Sequence, residues 1–190
     1  MQARYFIKAT EIAKHIIDLK VKEGDVVVDG TVGNGYDTLY LASKVGKCGK
    51  VYGFDVQQKA IDNTRDRLVE NKLLNRVKLI KDGHEKMFDY IKEKVDLLIF
   101  NLGYLPKGDH SIITKPDTTI SAIKQGLSLL NNNGILLVVL YYGHEGGEDE
   151  KKEVLKFLSN IDQKEFNVLK FNFINQKNKP PILLGVEKKN

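Results

Sequence analysis

The sequence has little cysteine and no long apolar run among its 190 residues. The single cysteine, Cys48, excludes an intramolecular disulfide and a zinc site built from cysteines. No apolar stretch approaches the ~20 residues that a membrane-spanning helix needs. The first ten residues carry Arg4 and Lys8 and lack the apolar core of a signal peptide. We therefore expect a cytoplasmic protein with no membrane contact and no metal site.

Internal repeats, low-complexity tracts and interdomain linkers are lacking too, and 190 residues suffice for one domain with a full core. We expect residues 1–190 to form a single domain, with a helical segment at 1–24 packed on it. The net charge of +5 is compatible with a polyanionic partner. A lysine-rich composition that serves only solubility would give the same charge.

The sequence is organised around residues 26–38, where three valines and an acid precede a glycine-rich turn. The valines predict a buried strand that ends at Asp29. Gly33 and Gly35 allow positive φ and let a ligand lie against the backbone. The helix that follows would direct its free N–H groups at that ligand. This order is typical of a nucleotide-binding α/β unit, although a tight turn with no ligand would have the same pattern.

The hydrophobic pattern predicts an α/β fold with a doubly wound, mostly parallel sheet. A helix within residues 5–20 comes first, with Thr10 as its expected N-cap. Two last strands, joined by a short polar segment, predict a C-terminal antiparallel hairpin. This order gives a seven-stranded, Rossmann-like sheet whose crevice lies at the carboxyl ends of the strands. The expected strands are 26–29, 51–56, 77–81, 95–101, 135–142, 166–174 and 182–187, and the helices between them lie near 38–43, 57–71, 85–93, 118–130 and 148–160.

Polar residues stand at the ends of these strands. Asp55 follows Asp29 by 26 residues, the interval expected for an acid that accepts hydrogen bonds from both ribose hydroxyls of an adenosine. It could also cap the next helix. Asp82 could reach the exocyclic amine of adenine, and His84 could pack beside the adenine or cap a helix.

The fourth strand ends in a segment similar to the N/D-P-P-Y motif of N-methyltransferases. Asn101 and Tyr104 keep the first and last residues of that motif, but the two prolines are missing. In that motif the Asn side chain and a backbone carbonyl accept hydrogen bonds from the target amine, and the aromatic ring stacks on its base. A strand-end turn with a packed tyrosine is the alternative. An alkyl amine must lose a proton before attack, and the candidates for this step or for binding the base lie on flanking loops: Asp109, His110, Tyr142 and His144.

The glycine turn resembles motif I of class I S-adenosylmethionine (SAM) methyltransferases, D/E-x-G-x-G-x-G, with Thr31 in place of the first glycine. Nearly the whole chain resembles a family of bacterial proteins known as rRNA methylases, which includes tRNA wobble-uridine methyltransferases. The motifs are D-x-T-x-G-N-G-x-D-T at 29–38, F-D-V-Q at 54–57, D-G-H at 82–84, N-L-G-Y-L-P-K-G-D-H at 101–110, T-K-P-D-T-T at 114–119 and Y-Y-G-H-x-G-G at 141–147.

This resemblance implies a SAM-dependent enzyme that methylates the amine of 5-aminomethyl-(2-thio)uridine at the wobble position of a tRNA anticodon. An rRNA or small-molecule N-methyltransferase is the alternative with the same chemistry, and a non-catalytic nucleotide- or NAD-binding module is the alternative of another class. The resemblance also implies that residues 105–110 and 142–147 form the substrate side of the pocket.

No appended RNA-binding domain is evident, so the anticodon stem-loop would have to contact the catalytic domain or a homodimer. Lys107, Lys115 and Lys124 are candidate phosphate contacts. A flipped-out base could stack on Tyr104 or Tyr142.

The SAM resemblance also implies how the cofactor is held. Asp29 would balance the ammonium of its methionine part, and Asp37 would cap the helix or hold that ammonium. The helix N-terminus near Asn34 would receive the carboxylate. The residues expected to contact the cofactor are Asp29, Thr31, Gly33, Asn34, Gly35, Asp37, Thr38, Asp55, Val56, Gln57, Asp82, Gly83, His84, Asn101, Leu102 and Gly103.

Overall fold

The structure, a computed structural model, describes residues 6–103 and 114–190. Seven strands form one sheet in the order β3-β2-β1-β4-β5-β7-β6. Strands β1 to β5 pair in parallel, and β7 is antiparallel to both of its neighbours, β5 and β6. This confirms the predicted mostly parallel sheet with a C-terminal hairpin. The strands are β1 (Val26–Asp29), β2 (Lys50–Phe54), β3 (Val77–Ile80), β4 (Val95–Leu102), β5 (Leu130–Leu140), β6 (Phe166–Phe171) and β7 (Ile182–Lys188).

Helices cover both faces of the sheet. Helices α1 to α3 pack on one face and α4 to α6 on the other, each over its own apolar core. Within the described ranges, no helix has the length and apolar character needed to cross a membrane. The helices are α1 (Ala9–Lys20), α2 (Tyr36–Lys44), α3 (Gln58–Glu70), α4 (Met87–Tyr90), α5 (Pro116–Leu129) and α6 (Gly147–Leu158), with short 3-10 helices at Leu74–Arg76 and His84–Lys86.

The central strands β4 and β5 are apolar on both sides because both of their faces are covered. Leu97 and Leu98 are adjacent and fully buried, yet they belong to the two different cores. Consecutive strand residues point to opposite faces. A continuous apolar run is therefore what a central parallel strand requires.

Several predicted boundaries were wrong. The polar residues 131–134 were expected to end a helix, but they lie inside β5, where Leu130 pairs with Val95 across an irregular register. Helix α1 begins after Lys8, so Thr10 is not its N-cap. The helix expected at 85–93 is a 3-10 turn followed by the single turn of α4.

Two further boundaries matter for the site. Helix α5 begins at Pro116, two residues before the predicted start, because a proline lacks the N–H that the first helical position leaves unused. Strand β5 ends at Leu140 rather than at residue 142. The side chains of Tyr141 and Tyr142 consequently lie outside the strand.

Candidate functional site

A pocket of about 750 Å³ opens at the carboxyl ends of β1 to β4, where the sequence predicts a crevice. Thirteen residues of the expected cofactor set line it. Asp29, Gly35 and Thr38 belong to that set but do not line it. The lining residues are Gly30, Thr31, Val32, Gly33, Asn34, Tyr36, Asp37, Phe54, Asp55, Val56, Gln57, Asp82, Gly83, His84, Glu85, Asn101, Leu102, Gly103, Thr114, Lys115, Thr118 and Tyr141.

Asp55 fastens the glycine turn to the end of β2. One carboxylate oxygen accepts a hydrogen bond from the N–H of Gly33 at 2.8 Å, and the other accepts from the N–H of Gln57 at 2.9 Å. Burial raises the pKa of Asp55, and these two backbone hydrogen bonds oppose that effect. Each carboxylate oxygen has a second lone pair, so a side chain that anchors the turn can still accept hydrogen bonds from a ligand in the pocket.

His84 forms part of the pocket wall in a neutral state. Its side chain is 9% exposed, and Nδ1 lies 3.1 Å from the carbonyl oxygen of Gly30. Because a carbonyl only accepts, Nδ1 carries the proton. Burial lowers the pKa of His84. The ring stands edge-on to Phe100, and its side chain does not cap the 3-10 turn that it begins.

Asp82 lies at the end of β3 with both carboxylate oxygens engaged. Lys86 Nζ and the N–H of Gly83 donate to Oδ1, each at 2.8 Å, and the hydroxyl of Tyr90 donates to Oδ2 at 2.8 Å. The hydrogen bonds from Lys86 and then from Tyr90 lower the pKa of Asp82. The carboxylate is therefore ionised and held in place at the pocket wall.

Asn101 has a buried acceptor atom without a partner. Its Nδ2 donates to Asp37 Oδ2 at 2.9 Å, and its backbone N–H donates to Thr31 Oγ1 at 2.6 Å. Its Oδ1 is buried and makes no hydrogen bond to the described residues. Because the Asp37 carboxylate only accepts, it fixes which end of the Asn101 amide is the donor. An unsatisfied buried acceptor of this kind is rare and calls for a donor that the described residues do not supply, such as a water molecule or a ligand.

Asp29, which the sequence predicts to contact the cofactor, does not line the pocket. Its carboxylate is 1% exposed and accepts hydrogen bonds from Thr38 Oγ1 at 2.6 Å and from the N–H of Thr31 at 3.1 Å. Burial, followed by repulsion from Asp37, raises its pKa to about 7. Asp29 and Thr38 thus support the glycine turn from beneath. Gly35 is also buried, with its Cα against Thr64 of α3.

Tyr141, rather than the predicted Tyr142, lines the pocket. Tyr142 packs against the core, and Lys151 Nζ lies 3.8 Å from the centre of its ring. Tyr142 therefore does not line this pocket, and its expected role in binding or catalysis stays a prediction. Burial, and then the charge of Asp37, raises the pKa of the Tyr141 phenol.

The remaining predicted residues divide into three groups. Lys115 lines the pocket, whereas Lys124 reaches over the ring of Phe157, 5.5 Å from its centre. His144 does not line the pocket but lies next to it, since a Cβ added to Gly103 would be 3.9 Å from His144 Nε2. The residues outside the described ranges are Tyr104, Lys107, Asp109 and His110.

Known proteins are similar to this chain in both fold and sequence. Residues 51–187 match the family described as "Putative rRNA methylase". The chain is 37% identical over 193 aligned residues, 96% of its length, to the "tRNA (mnm(5)s(2)U34)-methyltransferase, chloroplastic" of Arabidopsis thaliana, of which it covers 70%.

Two solved structures superpose on nearly the full chain. The first is described as a "putative rRNA-methylase" from Clostridium thermocellum. It has a TM-score of 0.95 and 50% identity, and the match covers 99% of this chain and 100% of that one. The second, from Streptococcus mutans and described as "a putative methyltransferase" in complex with SAH, has a TM-score of 0.88 and 38% identity, with 99% of both chains covered.

The sheet order, the pocket and these relatives define the protein as a class I SAM-dependent methyltransferase. Its cofactor is SAM. Within that class, the chain belongs to the rRNA methylase family.

Proposed function

We propose that this protein is a tRNA methyltransferase that transfers a methyl group to the amine of 5-aminomethyl-(2-thio)uridine at the wobble position of the anticodon. The name of the Arabidopsis relative, a tRNA (mnm(5)s(2)U34)-methyltransferase, supports this substrate. Asn101 supports the amine as the target, because its buried Oδ1 requires a hydrogen-bond donor. A primary amine on a flexible arm is such a donor.

The pocket residues fit SAM as the cofactor. Asp55 offers free lone pairs to the two ribose hydroxyls while it anchors the turn, and Asp82 offers an ionised carboxylate near the adenine end. The backbone of Gly33 and Asn34 borders the same space. Bound there, SAM supplies the methyl group of its sulfonium. Val56 and Gly83 complete the wall that we assign to the adenosyl part.

Asn101 and Asp37 orient the incoming amine. Asp37 holds Nδ2 of Asn101, so Oδ1 keeps its lone pairs available for a donor. An amine that donates one N–H to this oxygen keeps its lone pair on the opposite side, directed into the pocket. Fixing the nitrogen in this way lowers the barrier mainly by orientation. The carboxylate of Asp37, which lines the same pocket, adds a negative charge that attracts the protonated form of the amine.

The substrate side of the pocket lies beyond Asn101 and is formed by Thr114, Lys115, Thr118 and Tyr141. Tyr141 presents an aromatic ring on which a flipped-out uracil can stack. Its raised pKa keeps it a phenol at neutral pH, so it acts as a hydrogen-bonding and stacking group rather than as the base. Asp109, His110 and His144 remain the candidates for proton removal that the sequence suggests.

The test uses tRNA that carries the unmethylated 5-aminomethyl nucleoside. Asn101→Ala should lower turnover by about 100-fold or more, since it removes the acceptor that orients the nitrogen. SAM affinity, measured by calorimetry, should change by no more than a few fold. Asn167→Ala, on the exposed strand β6, is the matched control. Wild-type turnover in Asn101→Ala would remove the main support for the proposal.

A further inference from the structure

Glu150 is a fully buried carboxylate that the proposed chemistry does not use. It lies in α6 with 0% of its surface exposed. Its Oε1 accepts a hydrogen bond from Thr119 Oγ1 at 2.6 Å, and its Oε2 accepts one from Thr114 Oγ1 at 2.8 Å. Across the described parts of the chain, it pairs with no lysine or arginine. A buried carboxylate without a cation is costly, and apolar residues usually stabilise such a position better.

Joining two helices does not require this carboxylate. Helices α5 and α6 already pack through apolar side chains, among them Ile123 and Val154, which belong to one core. What Glu150 adds is a fixed position for the segment that leads into α5. It holds Thr114, just before the helix, and Thr119, within its first turns.

This segment is a wall of the active-site pocket. Thr114, Lys115 and Thr118 line it. The backbone N–H of Thr114 donates to the carbonyl oxygen of Gly103 at 3.2 Å, and Gly103 follows Asn101 by two residues. Glu150 therefore fixes, through Thr114, the distance between this wall and the end of β4 that bears Asn101.

We propose that Glu150 is a positioning residue for the RNA substrate, which holds the wall of Thr114, Lys115 and Thr118 at the distance that the target base requires. This rests on the proposed function. Glu150 is too deeply buried to touch a ligand, so it acts through the two threonines. The residues that we assign to the adenosyl part of SAM come from the ends of β1 to β3 and share no hydrogen bond with Glu150. Loss of Glu150 should therefore affect the RNA side and leave SAM binding intact.

Replacement by leucine separates positioning from folding. Glu150→Leu has a similar size and removes both hydrogen bonds, so the helices should still pack. We expect the Kd for SAM to stay near its wild-type value and Tm to change only by the cost of the unpaired Thr119 hydroxyl, while kcat/KM for tRNA falls tenfold or more. Thr114→Val should act in the same direction. Glu150→Gln, whose amide can accept from one threonine and donate to the other, should recover most of the activity.

Amide hydrogen exchange gives a readout that does not depend on the identity of the substrate. In Glu150→Leu, the amides of Thr114 and Thr119, which are hydrogen-bonded in the wild type, should exchange at least tenfold faster, and those of residues 151–158 should be unchanged. Asp149→Leu, on the exposed side of the same helix, is the matched control. If Glu150→Leu does not fold, kcat/KM for tRNA and amide exchange are both measured on Thr114→Val instead.

Unchanged kcat/KM for tRNA in Glu150→Leu would overturn the proposal, as would a parallel loss of SAM affinity. If the wild-type enzyme itself binds SAM but does not methylate the tRNA, the proposed function is wrong. The exchange data then decide the role of Glu150, and wild-type exchange at Thr114 and Thr119 in Glu150→Leu would overturn it.

Discussion

Replacing Asp29 by asparagine should stabilise the protein in the absence of SAM, and the gain should increase with pH. Asp29 is buried, and its pKa is raised from 3.8 to about 7. An asparagine of the same shape can accept the N–H of Thr31 and donate to Thr38 Oγ1, so the local hydrogen bonds survive. It removes only the buried charge.

The magnitude and its pH window follow from the raised pKa. Between pH 3.8 and about 7 the folded protein holds a proton at Asp29 that the unfolded chain has lost. Proton binding to folded Asp29 stabilises the folded protein. This contribution to the free energy of unfolding is present in full below pH ~4, and it is lost as the pH rises through about 7. Roughly three pH units at 1.36 kcal/mol each give on the order of 4 kcal/mol for the full effect.

Urea unfolding of the wild type and Asp29→Asn at several pH values between 4 and 8.5 measures this effect. The difference in free energy of unfolding should be small at pH 4, increase to about pH 7 and stay constant above it. Comparing the two proteins at each pH cancels the contributions of the carboxylates that do not interact with Asp29. Asp62→Asn, on the exposed surface of α3, is the control. A difference that does not vary with pH would refute the reasoning.

Two further substitutions test the two sides of the pocket. Asp55→Ala should weaken SAM binding by ~1–3 kcal/mol, the range expected when the partner of buried hydrogen bonds is removed; calorimetry that shows wild-type affinity would contradict the ribose role proposed for Asp55. Tyr141→Ala should lower kcat/KM for tRNA about tenfold with little change in Tm, because Tyr141 lines the pocket. Tyr142→Ala should instead lower Tm, because Tyr142 packs on the core; the opposite pattern would restore Tyr142 as the pocket residue.

The sequence predicts the fold well because its strongest signals are local. The run before Asp29 and the run at 95–100 are apolar enough to be strands under any arrangement, and Gly33 and Gly35 mark the turn between strand and helix. Side chains at the ends of parallel strands share one edge of the sheet. The placement of Asp55, Asp82 and Asn101 around one pocket follows from the order of elements alone.

Details that depend on packing could not be predicted in the same way. Whether Asp29 faces the pocket or the space beneath the turn depends on the twist of β1 and on the position of Thr38. The choice between Tyr141 and Tyr142 depends on where β5 leaves its partner β7, which the apolar pattern does not mark.

Glu150 is a residue that the sequence could have identified. It lies four residues before Val154 and eight before Leu158, so the three share one face of α6, and both apolar residues are buried. An acid in that row is a sign of a buried carboxylate. Its acidic neighbours, Glu148 and Asp149, make the pattern difficult to recognise, because three consecutive acids are typical of a solvent-exposed first turn of a helix.

The central claim is that the pocket brings the methyl group of SAM next to an aliphatic amine of tRNA. The most direct measurement incubates the purified protein with SAM carrying a labelled methyl group and with tRNA containing 5-aminomethyl-(2-thio)uridine, followed by mass spectrometry of the nucleosides. The account predicts conversion to the methylaminomethyl nucleoside in wild type and its loss in Asn101→Ala. A wild-type protein that binds SAM, leaves this nucleoside unchanged and methylates rRNA instead would contradict it.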